Sequence, residues 1–168
     1  KQKITLYGSG RTDSGVHALG QSAHFIVKKN IDNKFTFLNT LNFFLNKKKI
    51  SILEINKKKQ NFHARYSANK RTYKYIIINR IAPLSLDINK AWHVKSFLNI
   101  TLMKKAAKLL QGTKDFSTYR SSSCGAESPI RTLEKVTIGA KECKIIITFR
   151  SKSFLQQQVR SMVGCLKF

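Results

Sequence analysis

Eight carboxylates make up the whole stock of acid groups in this 168-residue chain, set against 32 Lys and Arg. Asp32, Glu54, Glu134 and Glu142 lie in lysine-rich or strand-edge surroundings, and Asp87 and Glu127 lie in loops. Asp115 follows a helix end and precedes Phe116. None pairs with another acid at a spacing that builds a divalent-metal site, so metal-dependent nuclease chemistry has little support. Asp13 stands apart. It sits in GSGRTDSG, where three Gly and two Ser fall within eight residues, next to Arg11 and among small residues that admit a large substrate. Local chemistry leaves two readings open: an Asx-type turn with a structural salt bridge to Arg11, or a reactive carboxylate. The string lacks the order of a phosphate-binding loop, and no G-x-S-x-G elbow offers a serine nucleophile. Cys124, Cys143 and Cys165 form no CxxC, and His17, His24, His63 and His93 make no close ligand pair. Neither a zinc site nor a disulfide framework is indicated, and unbridged thiols in a reducing compartment are expected.

The formal charge of +24 demands a large positive surface, and its natural partner is a polyanion. Nucleic acid is the first expectation, although a Lys/Ile/Asn bias also arises from an AT-rich genome. No apolar run approaches the roughly 20 residues needed to span a membrane. The chain opens without Met inside a strand-like run and closes inside an apolar helical pattern. An excerpt from a longer protein is therefore expected, with no signal peptide recognisable at its start.

The positioning elements follow from periodicity. Short strands are expected over Lys3–Tyr7 and in the β-type run that ends at Phe25, Ile26 and Val27. A helix is expected over 35–47, where Phe37, Leu41, Phe44 and Leu45 recur at helical spacing. Ile50–Ile55 alternates like a strand, and RTYKYIII (71–78) is the strongest strand of all, with Arg71, Tyr73, Tyr75 and Ile77 on one face. A second helix is expected over 101–111, with Leu102, Ala106, Leu109 and Leu110 inward, Lys104, Lys105 and Lys108 outward, and Gly112 as its cap. Strands follow near 132–138 and 143–149. A last helix begins at Ser153, capped by Ser153 and Gln156, with Leu155, Val159, Met162, Val163 and Leu166 as its buried stripe. Helices interleaved with mostly antiparallel strands, twice over, argue for two α+β subdomains, 1–66 and 67–168.

Four stretches carry a resemblance to a known family. GRTDSGVHALGQSAHF (10–25) resembles the signature loop of the tRNA pseudouridine synthase A family, G-R-T-D-x-G-V-H-A-x-G-Q. FHARYSANKRTYKYII (62–77), GTKDFSTYR (112–120) and SFLQQQVRSMVG (153–164) are similar to three further family segments, in the family's order. The family's opening Y-D-G-T-type strand and the residues beyond its final helix are absent here.

The resemblance implies two ferredoxin-like α+β subdomains sharing a mainly antiparallel sheet, with helices on one side and a central RNA-binding cleft. It implies a cytoplasmic enzyme, without cofactor or metal, that isomerises uridine to pseudouridine in the anticodon stem-loop (positions 38–40) of tRNA, and a homodimer. Asp13 is then the catalytic carboxylate, acting on the uracil ring or on the sugar. Such a group must be charged and shielded from water, and a neighbouring cation keeps it so. Arg160 matches that cation, Tyr73 the tyrosine that packs on the uracil, and Arg11 a contact to RNA that helps extrude the nucleotide. The strand pattern by itself does not separate Tyr73 from Tyr75. His17 and His63 match motif positions that suit structural support. Lys104, Lys105 and Lys108, with 47–49 and 57–59, supply either phosphate contacts or merely solvated faces. The competing expectation is a noncatalytic basic RNA-binding protein of the same fold.

Overall fold

The computed structural model describes residues 3–28 and 30–167. It divides into two compact units, Lys1–Arg11 with Gly20–Ser67, and Thr12–Leu19 with Ala68–Phe168. The loop that carries Asp13 therefore groups with the C-terminal residues, whereas the sequence pattern assigns it to the 1–66 half. Among the described residues, no helix is long and apolar enough to cross a membrane.

In the first unit β1 (Tyr7–Gly8) and β2 (Ala23–His24) pair antiparallel. Both are far shorter than the runs that suggest them. Helix α1 (Lys34–Leu45) starts where Asn33 accepts the Thr36 N–H at 2.9 Å, as a good N-cap does. Ile50–Ile55, expected as a strand, is irregular. Its backbone finds a different partner: the Asn42 side chain accepts the Ile52 N–H at 2.6 Å and donates to the Ile52 carbonyl at 3.0 Å. One amide thus supplies what a neighbouring strand would supply.

The second unit is built on a five-stranded sheet of order β4–β3–β7–β6–β5. Its strands are β3 (Arg71–Asn79), β4 (Trp92–Val94), β5 (Gly112–Asp115), β6 (Ile130–Lys141) and β7 (Lys144–Ser151). The β3–β4 pair is parallel and every other pair antiparallel, so the sheet is mixed. The described strands thus form two sheets rather than the single shared one expected, since the two-residue β1 and β2 offer little ladder to extend.

Register decides what is buried. Tyr73, Tyr75 and Ile77 of β3 lie opposite Phe149, Ile147 and Ile145 of β7, and Val136 and Ile138 of β6 continue the rows. Helices α2 (Ile100–Leu109) and α3 (Gln158–Lys167) cover this one face with Met103, Ala107, Met162, Val163 and Leu166. Each fully buried Ile or Phe contributes about 1.5–3 kcal/mol, so this face is the main stabilising element of the unit.

Two helix assignments change. Helix α2 buries Met103 and Ala107, while Leu102 and Leu109, expected inward, are 59% and 73% exposed. Met103, with partly buried Ile100 and Leu110 at helical spacing beside it, outcompetes the leucine stripe for the sheet. Helix α3 starts at Gln158 rather than Ser153, because Gln157 holds a left-handed φ of 60° that interrupts the spiral. The capping falls to Gln158, whose buried side chain accepts the Leu155 N–H at 2.8 Å. The buried stripe of α3 otherwise matches expectation. Met103→Ala should cost about 2–5 kcal/mol in denaturant unfolding, and Leu102→Ala within about 0.5 kcal/mol. The reverse order would overturn this helix orientation.

Candidate active site

The Asp13 loop is a tight turn. The Val16 N–H bonds back to the Asp13 carbonyl at 3.2 Å, and Gly15 takes a φ of 80°. A positive φ at the third turn position is what a type II turn requires and what glycine adopts without strain. The turn leaves Asp13 partly exposed and turned toward α3. There the Arg160 Nε lies 3.4 Å from Asp13 Oδ2, and its terminal nitrogen donates to the Ser14 carbonyl at 3.2 Å. One guanidinium thus grips both the carboxylate and the backbone of the turn. The ion partner of Asp13 is Arg160, not the adjacent Arg11 that a local turn suggests.

Side-chain exposures of 49% for Arg160 and 33% for Asp13 keep the pair in contact with water. A pair so placed is worth roughly 0–1 kcal/mol of stability. Its effect lies in orientation: one guanidinium ties the Asp13 carboxylate and the Ser14 carbonyl to the same helix.

The charge of Asp13 reaches Tyr73. Burial pushes its hydroxyl above the usual value of 10.0, the Arg71 guanidinium pulls it down, and the Asp13 charge raises it again. The ring is held edge-on by Phe154, with centroids 5.1 Å apart and planes at 87°. Tyr75, on the same strand face, meets Trp92 at 6.4 Å instead. Tertiary structure therefore separates two tyrosines that the strand pattern cannot.

Arg11 and His17 are exposed, and Arg11 groups with the first unit. His63 belongs to a ring cluster of that unit, 4.7 Å from His24 and 4.4 Å from Tyr66. The Nδ1 atoms of His24 and His63 accept the backbone N–H groups of Ala64 and Arg65, which gives both imidazoles a structural task. Two other carboxylates do structural work: Glu134 pairs with Lys70 at 3.7 Å, and Asp115 accepts the Ser117 N–H at 2.7 Å. The lysines at 47–49, 57–59, 104, 105 and 108 are exposed. Sequence reasoning misses Phe154 and Arg71 as neighbours of the site. The signals were present: Phe154 lies in the same motif as Arg160, and Arg71 is two residues before Tyr73 on its strand face.

A carboxylate on a glycine turn, gripped by arginine and acting electrostatically on a half-buried tyrosine, is the candidate site of this chain. Comparison with known proteins supplies its class. The sequence family described as tRNA pseudouridine synthase matches residues 106–168. Tyrosine, arginine and aspartate of the site also lie within a longer similarity. The tRNA pseudouridine synthase A of Pelagibacter ubique is 56% identical over 168 residues, covering 100% of this chain and 68% of that protein. The enzymes of the same name from Anaplasma phagocytophilum and Ehrlichia canis are each 42% identical, over 98% and 99% of the chain and 66% and 67% of their own lengths. The chain belongs to the tRNA pseudouridine synthase A family and spans about two thirds of the length of these relatives.

Two predictions follow from the geometry. A Cβ on Gly15 would meet nothing within 4 Å, so the effect of Gly15→Ala is conformational alone. It should cost about 1–2 kcal/mol through the left-handed φ, read as a lower unfolding free energy. The Tyr73 hydroxyl, raised on folding, stabilises fully below its unfolded value of 10.0, and this contribution is lost as pH climbs through the folded value. Stability measured from pH 9 upward, on the order of the tyrosine range, should therefore fall less steeply in Tyr73→Phe.

Proposed function

We propose that the full-length protein isomerises uridine to pseudouridine in the anticodon stem-loop of tRNAs, at positions 38–40, with Asp13 as the catalytic carboxylate. The observation that carries this reading is the double grip of Arg160 on Asp13 and on the turn that presents it, with the Asp13 charge acting on Tyr73. The reaction breaks the bond from uracil N1 to ribose C1′ and makes one from C5 to C1′. A proton leaves C5 and N1 gains one, so nothing is oxidised and no co-reactant is consumed. Asp13 supplies the charge that adds to the ring or acts on the sugar during this exchange. Tyr73 packs on the uracil, Arg160 holds Asp13, and Arg11 contacts the RNA as the nucleotide leaves its stack.

Neighbouring uridines in different sequences share no base-edge code, so recognition rests on RNA shape and backbone charge. The +24 balance and the exposed lysines support such a grip. In this reading the chain contributes two ferredoxin-like α+β subdomains, and the enzyme works as a cytoplasmic homodimer. A noncatalytic RNA-binding protein of the same fold would have no use for a carboxylate aligned by arginine on a positive surface.

The test is incubation of the full-length protein with unmodified tRNA, with and without chelator, followed by mapping of pseudouridine. Asp13→Asn should reduce turnover to background while tRNA affinity stays within about tenfold, because phosphate contacts dominate binding. Affinity should fall steeply and alike for different tRNAs as salt rises. Turnover retained in Asp13→Asn would end the mechanism, and product confined to the T-arm would refute the site.

A further inference from the structure

Arg71 opens β3, two residues before Tyr73 and on the same face. It pairs in register with Ser151, the last residue of β7, and its guanidinium donates to the carbonyl of Lys152, the first residue beyond that strand. Lys152 begins the short segment that leads into α3. Phe154, two residues on, is the ring set edge-on against Tyr73, and α3 carries Arg160. The same segment is pinned on its other side by the buried Ser151 hydroxyl, which bonds the Thr132 carbonyl at 2.8 Å and receives the Ser153 N–H at 3.3 Å.

We propose that Arg71 is a positioning residue of the active site, a clasp that ties the strand carrying Tyr73 to the segment that launches the helix carrying Arg160. The end of an antiparallel ladder frays unless something holds it. Tyr73 lies two cross-strand pairs in from that end and on the same face as Arg71, so fraying at Arg71 reaches the ring within two residues. The clasp closes a circuit: Tyr73 to Arg71 along β3, Arg71 to Lys152, then through Phe154 back to the Tyr73 ring and through α3 to Arg160 and Asp13. Arginine suits the task better than lysine, because a planar fork holds a carbonyl in one direction while a flexible ammonium does not. Its charge also acts at the Tyr73 hydroxyl, opposing both burial and Asp13.

The catalytic consequence rests on the proposed synthase activity; the placement does not, and the experiment separates them. In the full-length protein, Arg71→Gln and Arg71→Lys are compared by steady-state turnover on unmodified tRNA. Carbon-13 tyrosine NMR follows the ionisation of Tyr73, assigned with Tyr73→Phe. Turnover at saturation should fall about a hundredfold in both variants, as expected for a misplaced reacting group, with KM within about threefold of wild type. Tyr73 should ionise at higher pH in Arg71→Gln and close to wild type in Arg71→Lys, which keeps the charge and loses the fork. A merely structural role would lower the melting temperature without moving either readout. Wild-type turnover in Arg71→Lys, or an unmoved Tyr73 titration in Arg71→Gln, would overturn the proposal. A wild-type protein that makes no pseudouridine would sink the synthase reading, and the titration would still decide where Arg71 acts.

Discussion

The register between β3 and β7 is the constraint on which the second unit depends. It sets Arg71 against Ser151, Tyr73 against Phe149 and Ile77 against Ile145, with the β7 partners buried. A slip of one residue would turn every one of these side chains to the other face. Tyr73 would then leave Phe154, and Thr72 and Lys74 would enter the core. The inner face itself opposes the slip, since it would take Tyr75 and Ile77 away from the cluster that buries Phe149, Ile147 and Ile145. The core residues that make the fold stable thus also aim the tyrosine.

The site itself adds little to that stability. The Asp13–Arg160 pair is open to water, and the turn that carries Asp13 is held by a glycine in the left-handed region and a backbone hydrogen bond. Such a loop is cheap to move and precise only while something grips it. Arg160 does so from a helix whose other face is anchored by Met162, Val163 and Leu166. Rigidity is borrowed from the core and delivered to the carboxylate through one guanidinium.

Sequence patterns located the long elements because their signals are strong. The β-branched run of β3 holds along its length, and the apolar spacing of α3 holds from Val159 onward although the helix starts at Gln158 rather than Ser153. Short or ambiguous runs fail for physical reasons. Ile50–Ile55 has strand-like alternation, yet strand formation needs a partner ladder, and Asn42 provides a side-chain substitute. Helix α2 offers two apolar stripes a fraction of a turn apart, and only the shape of the sheet beneath selects Met103 over Leu102.

By itself the sequence determined the class of fold, the isolation of Asp13 as the one carboxylate in a glycine-rich loop, and the family, because these depend on residue type and local spacing. The family resemblance named Arg160 and Tyr73, while residue spacing left Arg11 and Tyr75 open; tertiary structure pairs Asp13 with Arg160, lets the Asp13 charge act on Tyr73, and brings Arg71 to Lys152. Two contacts and one charge effect thus join residues 147, 81 and 60 positions apart through the register of the sheet and the packing of α3. No local pattern encodes a distance that the chain closes by burying an apolar face.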